Sequence, residues 1–308
     1  MKFNKDLAPI VLFVYNRLDH TQLTIESLQK NILAEESELY IYSDAAKNNN
    51  SSHMIQEVRN YLKSVNGFKK ITIIERKKNF GLAASIIDGV SSIINEYGKV
   101  IVLEDDLVTS PYFLQFMNDS LDNYKETKDI FSITGFSFST KFMNFPKSYL
   151  SDIYFHKRPM SWSWATWSDR WSNIDWDVKD YDSFKISIKQ QYLFNRGGPD
   201  LTRMLKNQMN GKLDSWYIRW SYNAFKQNKY TVYPKISYVN NIGHDNSGVH
   251  CSTDEDMIYS HTELNQEKVT NFPKEIKLVG KILNNFNKAF KIKVFQKIKE
   301  KLIKIFKK

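Results

Sequence analysis

Hydrophobic and polar positions change in regular blocks over the first hundred residues. Ile10 to Tyr15 is a continuous apolar run of strand length. Residues 19–31 carry helical spacing, with Leu23, Leu28 and Ile32 on one face. Leu39 to Ser43 predicts a second strand, Ala46 to Ser52 a polar loop, and residues 53–64 a second helix. Ile71 to Glu75, residues 82–96 and Lys99 to Leu103 continue as strand, helix and strand. Thr109-Ser110-Pro111 supplies a capping residue and a first-turn proline for a helix to Tyr124, and Phe131 to Thr134 reads as a further strand. Apolar strands alternating with helices predict an α/β fold whose mainly parallel sheet is flanked by helices on both faces. Ligands of such sheets gather beyond the carboxyl ends of the strands.

The pattern loosens after residue 135. All seven tryptophans lie between Trp162 and Trp220, and the chain ends in a lysine-rich stretch. The expected division is therefore 1–134, 135–273 and a tail, 274–308. In the tail Val279, Ile282, Leu283, Phe286 and Phe290 fall at helical spacing. Phe295, Ile298, Leu302, Ile305 and Phe306 repeat the pattern, with lysines between them. This is a basic amphipathic helix, or two breaking near Lys291–Lys293. Such a helix over residues 276–306 fits the plane of an anionic membrane; docking on a partner protein or on the body of the same chain satisfies the pattern too.

Charge sharpens this picture. The 308 residues hold 44 Lys+Arg and 34 Asp+Glu, a net of +10, and residues 274–308 alone hold 12 Lys and 2 Glu. The body is thus neutral, which argues against nucleic acid as a partner. One cysteine, Cys251, allows no internal disulfide and suits a reducing compartment. Lys2 and Lys5 ahead of Leu7–Tyr15 imitate a short signal peptide, but the chain runs on into Asn16-Arg17 with no small-residue cleavage site, so a buried first strand is expected. No apolar run has the length of a membrane span. The expected location is cytoplasmic, peripheral at the inner face of the plasma membrane.

The fourth strand ends in Glu104-Asp105-Asp106. Three adjacent acids at the end of an apolar strand repel one another beside a low-dielectric core. Hard carboxylate oxygens suit Mn²⁺ or Mg²⁺, above all when a diphosphate adds ligands; a solvated loop capping the next helix is the plain alternative. Arg17 follows the first strand, where it meets an anion or is an ordinary surface charge. Arg76-Lys77-Lys78-Asn79-Phe80-Gly81 opens a helix whose free backbone donors suit an anion. Indole rings such as Trp162, Trp164 and Trp216 pack on sugar faces or fill a core.

Val102-Leu103-Glu104-Asp105-Asp106-Leu107, followed by Ser110-Pro111 and a Phe-rich helix, resembles the metal motif of GT-A glycosyltransferases. It is similar to the Glu-Asp-Asp form of the N-acetylglucosaminyltransferase I type and of bacterial family 2-like sugar transferases, and the resemblance runs through most of residues 8–251 and leaves out the tail. It implies a GT-A fold, with residues 1–134 binding the nucleotide sugar and 135–273 carrying acceptor binding and catalysis. It makes Asp106 the metal ligand, with Glu104 and Asp105 toward ribose and donor sugar. Arg17 would contact the nucleotide, Asp44 the uracil ring, and Asn79 and Gly81 would line the pocket. Ser161-Trp162-Ser163-Trp164-Ala165-Thr166-Trp167 is similar to a segment of those enzymes in which glycine is common at position 163. Asp214, in Lys212-Leu213-Asp214-Ser215-Trp216, matches their catalytic base, a helix cap by residue type alone. Ser247, Gly248 and His250 match a late loop in which His250, ranked above His244, meets metal or diphosphate.

The implied activity is an inverting, metal-dependent transfer from a UDP-sugar to a glycan or lipid-linked glycan in surface polysaccharide synthesis. Two other readings compete. A sugar nucleotidyltransferase shares the sheet and the metal, but opens with a Gly-rich phosphate loop where this chain has Tyr15-Asn16-Arg17-Leu18. A non-catalytic glycan-binding or membrane scaffold protein would not need Asp44, Asp106, Asp214 and His250 together.

Overall fold

A computed structural model describes residues 6–244 and 263–291. The chain begins β1 (Ile10–Val14), α1 (Leu18–Gln29), β2 (Glu38–Ser43), α2 (Asn49–Leu62), β3 (Lys70–Glu75), α3 (Leu82–Tyr97) and β4 (Lys99–Glu104). It continues with β5 (Leu107–Thr109), α4 (Phe113–Tyr124), β6 (Ile130–Thr134), α5 (Thr140–Met143), β7 (Ile153–His156), β8 (Trp164–Trp167) and α6 (Ser168–Trp171). Then come α7 (Tyr181–Ile186), α8 (Ile188–Phe194), α9 (Leu201–Met209), α10 (Trp216–Lys226), β9 (Tyr230–Pro234) and β10 (Val239–Asn241). A last helix, α11, covers residues 280–291.

Eight strands form one sheet in the order β3-β2-β1-β4-β8-β6-β9-β7, and β5 pairs with β10 in a separate ribbon. The strands from β3 to β4 are mutually parallel. β8 inserts antiparallel between β4 and β6, β9 runs parallel to β6, and β7 closes the edge antiparallel to β9. The strand-helix alternation of the first half therefore builds the parallel part. The second half widens the same sheet.

Successive strand residues face opposite sides, so the sheet separates two cores. Ile10, Leu12, Val14, Leu39, Ile41, Ile101 and Leu103 pack with α1, α2 and α4. Val11, Phe13, Tyr40, Tyr42, Val100 and Val102 face the other way, against α3 and α10. The parallel register aligns Val14 with Ser43, Ser43 with Glu75, and Phe13 with Glu104. Arg17, Asp44, Arg76 and the acidic triplet thus leave the sheet at the same end.

The face expected for α1 is corrected. Leu23 and Ile32 are 50% and 53% exposed, while Thr21, Thr24, Ile25, Ser27 and Leu28 are buried. Polar residues hold this helix to the segment after β4. Thr24 Oγ1 donates to Asp105 O at 2.8 Å and accepts from Leu107 N at 3.1 Å. Thr109 N donates to Ser27 Oγ at 2.9 Å, and Leu114 N to Asn31 Oδ1 at 2.9 Å. Buried backbone groups of the 105–114 segment find their partners there, which satisfies polar atoms that water cannot reach.

For the first half of the tail the structure selects docking on the body of the same chain from the readings left open by the sequence. Ile282, Phe286, Ala289 and Phe290 of α11 are buried with Phe136, Phe138, Tyr154 and Tyr233. Asn285 Nδ2 donates to Met143 O at 2.5 Å, and Asn287 Nδ2 to Arg196 O at 3.1 Å. The apolar stripe covers the body of its own chain. Phe295, Ile298, Leu302, Ile305 and Phe306 lie outside the described residues.

The α11 contact contains a buried histidine. His156 stacks on Phe286 with centroids 3.9 Å apart, and its Nδ1 accepts from Arg158 N at 3.1 Å. Burial, with the cations of Arg158 and Lys157 adding to it, pushes the imidazole down to about 3 from 6.5. The unfolded chain therefore binds a proton below about pH 6.5 that the folded chain refuses. The stability from this group is complete above that pH and is lost progressively as pH falls from 6.5 toward 3. Each pH unit within the window costs about 1.4 kcal/mol. The fall in Tm between pH 7 and pH 5 is expected to be steeper for the wild type than for His156→Phe; equal slopes in a thermal melt would refute it.

Candidate active site

The site forms where the parallel strands end. Arg17, at the N-terminus of α1, turns its guanidinium onto the triplet. Its Nη2 binds Asp105 Oδ1 and reaches Asp106 Oδ2 at 3.0 Å. Burial alone would lower the Arg17 pKa, but the two carboxylates outweigh it and the net shift is upward. Its Nη1 is buried without a hydrogen-bond partner. One guanidinium thus serves three carboxyls. Burial, then repulsion from Asp106 and Asp105, raises Glu104 to about 8, against the opposing pull of Arg17. Burial also raises Asp105, with Arg17 again opposing.

Asp106 is roofed by the turn after β10. Ile242 N donates to Asp106 O at 2.9 Å. A Cβ on Gly243 would stand 2.3 Å from Asp106 Oδ2, so any larger residue there would displace this carboxylate. His244 follows, its ring edge-on to Trp162 with centroids 5.4 Å apart. His250, expected near the metal, lies outside the described residues.

The neighbouring wall is built around Asp44. Its Oδ1 accepts from Ala45 N and Phe80 N, both at 2.9 Å. Its Oδ2 accepts from Gly81 N at 2.9 Å and Asn79 Nδ2 at 3.1 Å. Gly81 caps α3 at a φ of 72°, a conformation that favours glycine. Asp44 therefore fixes the 79–81 loop and places an anion at the positive end of α3. Asp44, Asn79 and Gly81 are one hydrogen-bonded unit. Arg59, absent from the residues expected at the site, ties this wall together: its Nη2 donates to Ser43 O at 3.3 Å and Arg76 O at 2.9 Å, bridging β2 and β3. Arg76 itself lies over Phe80, 4.3 Å from the ring centroid. An isolated arginine inside a polar helix carries no signal that it will reach backbone carbonyls.

The tryptophan segment enters from the other side. Antiparallel pairing sets Trp164 opposite Val102, so residues 161–163 run past the end of β4 beside the triplet. Trp162 is partly exposed. Trp164 and Trp216 are only 1% and 3% exposed, and their rings stack 5.1 Å apart. They are core residues, which corrects their assignment to a sugar pocket and leaves Trp162 as the accessible member. Ser163 has a φ of 48°, the left-handed region that costs a side-chain residue about 1 kcal/mol.

Asp214 stands just before α10, whose N-cap is Ser215. Its side chain is 77% exposed, 3.6 Å from Arg219 Nη2. α10 packs through Trp216 and Trp220 against the same core as α3.

Among the described residues, no three His, Cys, Asp or Glu side chains group as a metal cluster. The donor chemistry at the triplet nevertheless fits a hard divalent cation. The oxygens are carboxylates, and their negative charge exceeds what Arg17 neutralises.

The strand order, with helices on both faces of the parallel half of the sheet, is that of a GT-A fold. The chain belongs to glycosyl transferase family 2, whose model matches residues 10–192, a span holding Arg17, Asp44 and the triplet. No curated protein sequence matches it. Among solved structures, the chain is similar to TarS of S. aureus (15% identity over 41% of this chain, TM-score 0.30) and spans about a fifth of that protein, 21% of its length. It is similar to the mannosyltransferase PcManGT from Pyrobaculum calidifontis in complex with GDP-Man and Mn²⁺ (10% identity over 55% of this chain and 49% of that one, TM-score 0.35). It is also similar to a UDP-glucose pyrophosphorylase complexed with UDP-glucose (11% identity over 74% and 90%, TM-score 0.36).

Proposed function

We propose that this glycosyltransferase is metal-dependent and inverting, and that it moves a sugar from a UDP-sugar to a hydroxyl of a glycan acceptor. The observation that carries the reading is the packing of Arg17, Asp105 and Asp106 in one ion-pair cluster beside the Asp44–Asn79–Gly81 wall. Arg17, whose buried Nη1 has no hydrogen-bond partner among the described residues, is the positive group we assign to the diphosphate. Asp44, held by the 79–81 backbone, shapes the base pocket. Glu104 and Asp105 face ribose and donor sugar, and Trp162 packs on a sugar ring. Asp106, with His250 from the late loop, would hold Mn²⁺ or Mg²⁺, and the cation supplies Lewis-acid stabilisation of the departing diphosphate.

In the transfer, Asp214 takes the proton from the acceptor hydroxyl as its oxygen attacks the anomeric carbon. The bond from that carbon to the UDP oxygen breaks on the opposite face. The acceptor oxygen then carries the sugar, UDP carries the bonding pair, and the anomeric configuration inverts. The exposed Asp214 suits this role, because the acceptor must reach it from solvent.

The acceptor we assign is a lipid-linked surface-polysaccharide precursor at the inner face of the plasma membrane. The support is the repeat of apolar residues and lysines in 292–308, which suits an anionic surface. We divide the chain as a donor half (1–134), an acceptor half (135–273) and a tail (274–308).

A thermal-shift panel of nucleotide sugars, each with and without Mn²⁺, tests the reading. A ligand at a hundredfold excess over its Kd adds about 2.7 kcal/mol. A UDP-sugar is expected to raise Tm by several degrees with Mn²⁺ and far less without it. No shift from any nucleotide sugar, or equal shifts without metal, would overturn the proposal.

A further inference from the structure

Behind α9 and α10 lies a buried guanidinium that the transfer chemistry does not use. Arg158 is 4% exposed, two residues after β7. Its Nη1 and Nη2 donate to Asp200 Oδ1 and Oδ2 at 2.7 and 3.0 Å, and its Nε donates to Tyr217 Oη at 2.8 Å. Asp200 is the N-cap residue of α9, and Tyr217 lies in the first turn of α10. A single side chain therefore grips the N-terminal ends of the two helices that flank Asp214.

The segment between the helices is short and held locally. Lys212 N donates to Asn207 O at 2.9 Å, and Ser215 N to Gln208 Oε1 at 2.7 Å. Tyr217 Oη also donates to Pro159 O at 2.9 Å. The turn thus takes its position from α9 and α10, which Arg158 ties together at their N-terminal ends in addition to their apolar packing. The packing around the guanidinium is tight: a Cβ on Gly198 would stand 2.1 Å from Arg158 Nη1.

The remaining face of the guanidinium is covered from outside this unit. The ring of Phe290, in α11, lies 3.7 Å from the Arg158 guanidinium carbon. That ring excludes water from the Arg158–Asp200 pair and packs on its flat face. Water admitted there would compete for the fork that Asp200 and Tyr217 accept.

We propose that Arg158 is a positioning residue for the Asp214 turn, and that α11 is a clamp on it through Phe290, so that this helix, docked on the body of its own chain, governs transfer. The proposal rests on the reading of Asp214 as the base. Loosening α11 then disorders the 210–217 segment while the donor wall, on the far side of the sheet order, keeps its geometry.

The experiment is hydrogen exchange on the full chain, with Mn²⁺·UDP binding by calorimetry and UDP release from the donor found in the panel. In Phe290→Ala, amide exchange in 212–218 is expected to accelerate at least tenfold while 79–84 is unchanged. The Kd for Mn²⁺·UDP stays within twofold, and UDP release falls about tenfold. Phe290→Tyr, which keeps the ring, is expected to restore all three readouts. Unchanged exchange in 212–218, or the same acceleration in 79–84, overturns the proposal. Should Phe290→Ala not fold, Arg158→Lys takes its place: it keeps the charge, loses the fork, and must show the same selective acceleration. Asp214→Asn separates the two claims. Loss of UDP release in that variant with normal exchange supports the base, whereas full release removes the base reading and leaves the exchange result to decide the clamp.

Discussion

Asp106→Asn is expected to abolish the Mn²⁺-dependent stabilisation by UDP-sugar and to lower transfer by about 10²–10³ or more. The substitution keeps the shape of the side chain and an oxygen for the Arg17 hydrogen bond, which spans 3.0 Å in the wild type. It removes one charge. In the folded protein that charge acts both ways: it adds to burial in raising Glu104 to about 8, and it pairs with Arg17 at 3.0 Å. The apo variant should therefore melt close to the wild type, and somewhat higher if repulsion dominates. Lewis-acid stabilisation of a leaving diphosphate is worth several kcal/mol, and about 1.4 kcal/mol is tenfold in rate, which sets the size of the loss. A variant that melts normally and still gains several degrees from Mn²⁺ with UDP-sugar would exclude Asp106 as the ligand. General damage to the fold cannot imitate the expected result, because stability and metal response move independently.

Most of the donor half is legible in the sequence because its elements are periodic and apolar. β1 to β4 and α3 follow directly from continuous apolar runs and helical spacing, and the acidic triplet falls at a strand end where the charge pattern itself is unusual. The face of α1 is not legible. Apolar spacing selects Leu23, Leu28 and Ile32, of which only Leu28 is buried; the helix and the turn after it bury Thr24, Ser27 and Asn31 instead, since the turn after β4 needs hydrogen-bond partners more than it needs methyl groups. Periodicity scales weigh only apolarity, so a face chosen by polar satisfaction is invisible to them.

The second half is harder for a related reason. Trp164 and Trp216 have the chemistry of sugar contacts and also of a core, and only the three-dimensional neighbourhood of Trp171 and Trp220 decides for the core. Arg158, Asp200 and Tyr217 lie far apart in sequence, and their network depends on the antiparallel return of β7 and β9. The amphipathic stripe of residues 279–290 does announce a face needing a cover. Nothing in that stripe distinguishes a membrane from Phe138, Tyr154 and Tyr233 of the same chain.

Asp214→Asn is expected to reduce transfer by about 10²–10⁴ while leaving donor binding and melting temperature unchanged, the range of a positioned general base. The neutral stability follows from exposure: the side chain is 77% exposed, and its Arg219 contact, at 3.6 Å, is a surface pair worth little. The acceptor hydroxyl must still bind and attack, but its proton has no carboxylate to receive it. Asp214→Glu refines the test. It restores the carboxylate one methylene farther out, and a displacement of about 1 Å from the reactive geometry costs about 10². The glutamate variant should therefore lie between wild type and asparagine, with the same Kd for Mn²⁺·UDP in all three proteins. A residue that serves only the shape of the turn predicts a different order of effects. Ser215, not Asp214, caps α10, so such a residue would tolerate the isosteric asparagine at full activity, and the longer glutamate would be the damaging change. Measured kcat values ordered Asp, Glu, Asn place a base at this turn; the order Asp and Asn together above Glu removes it.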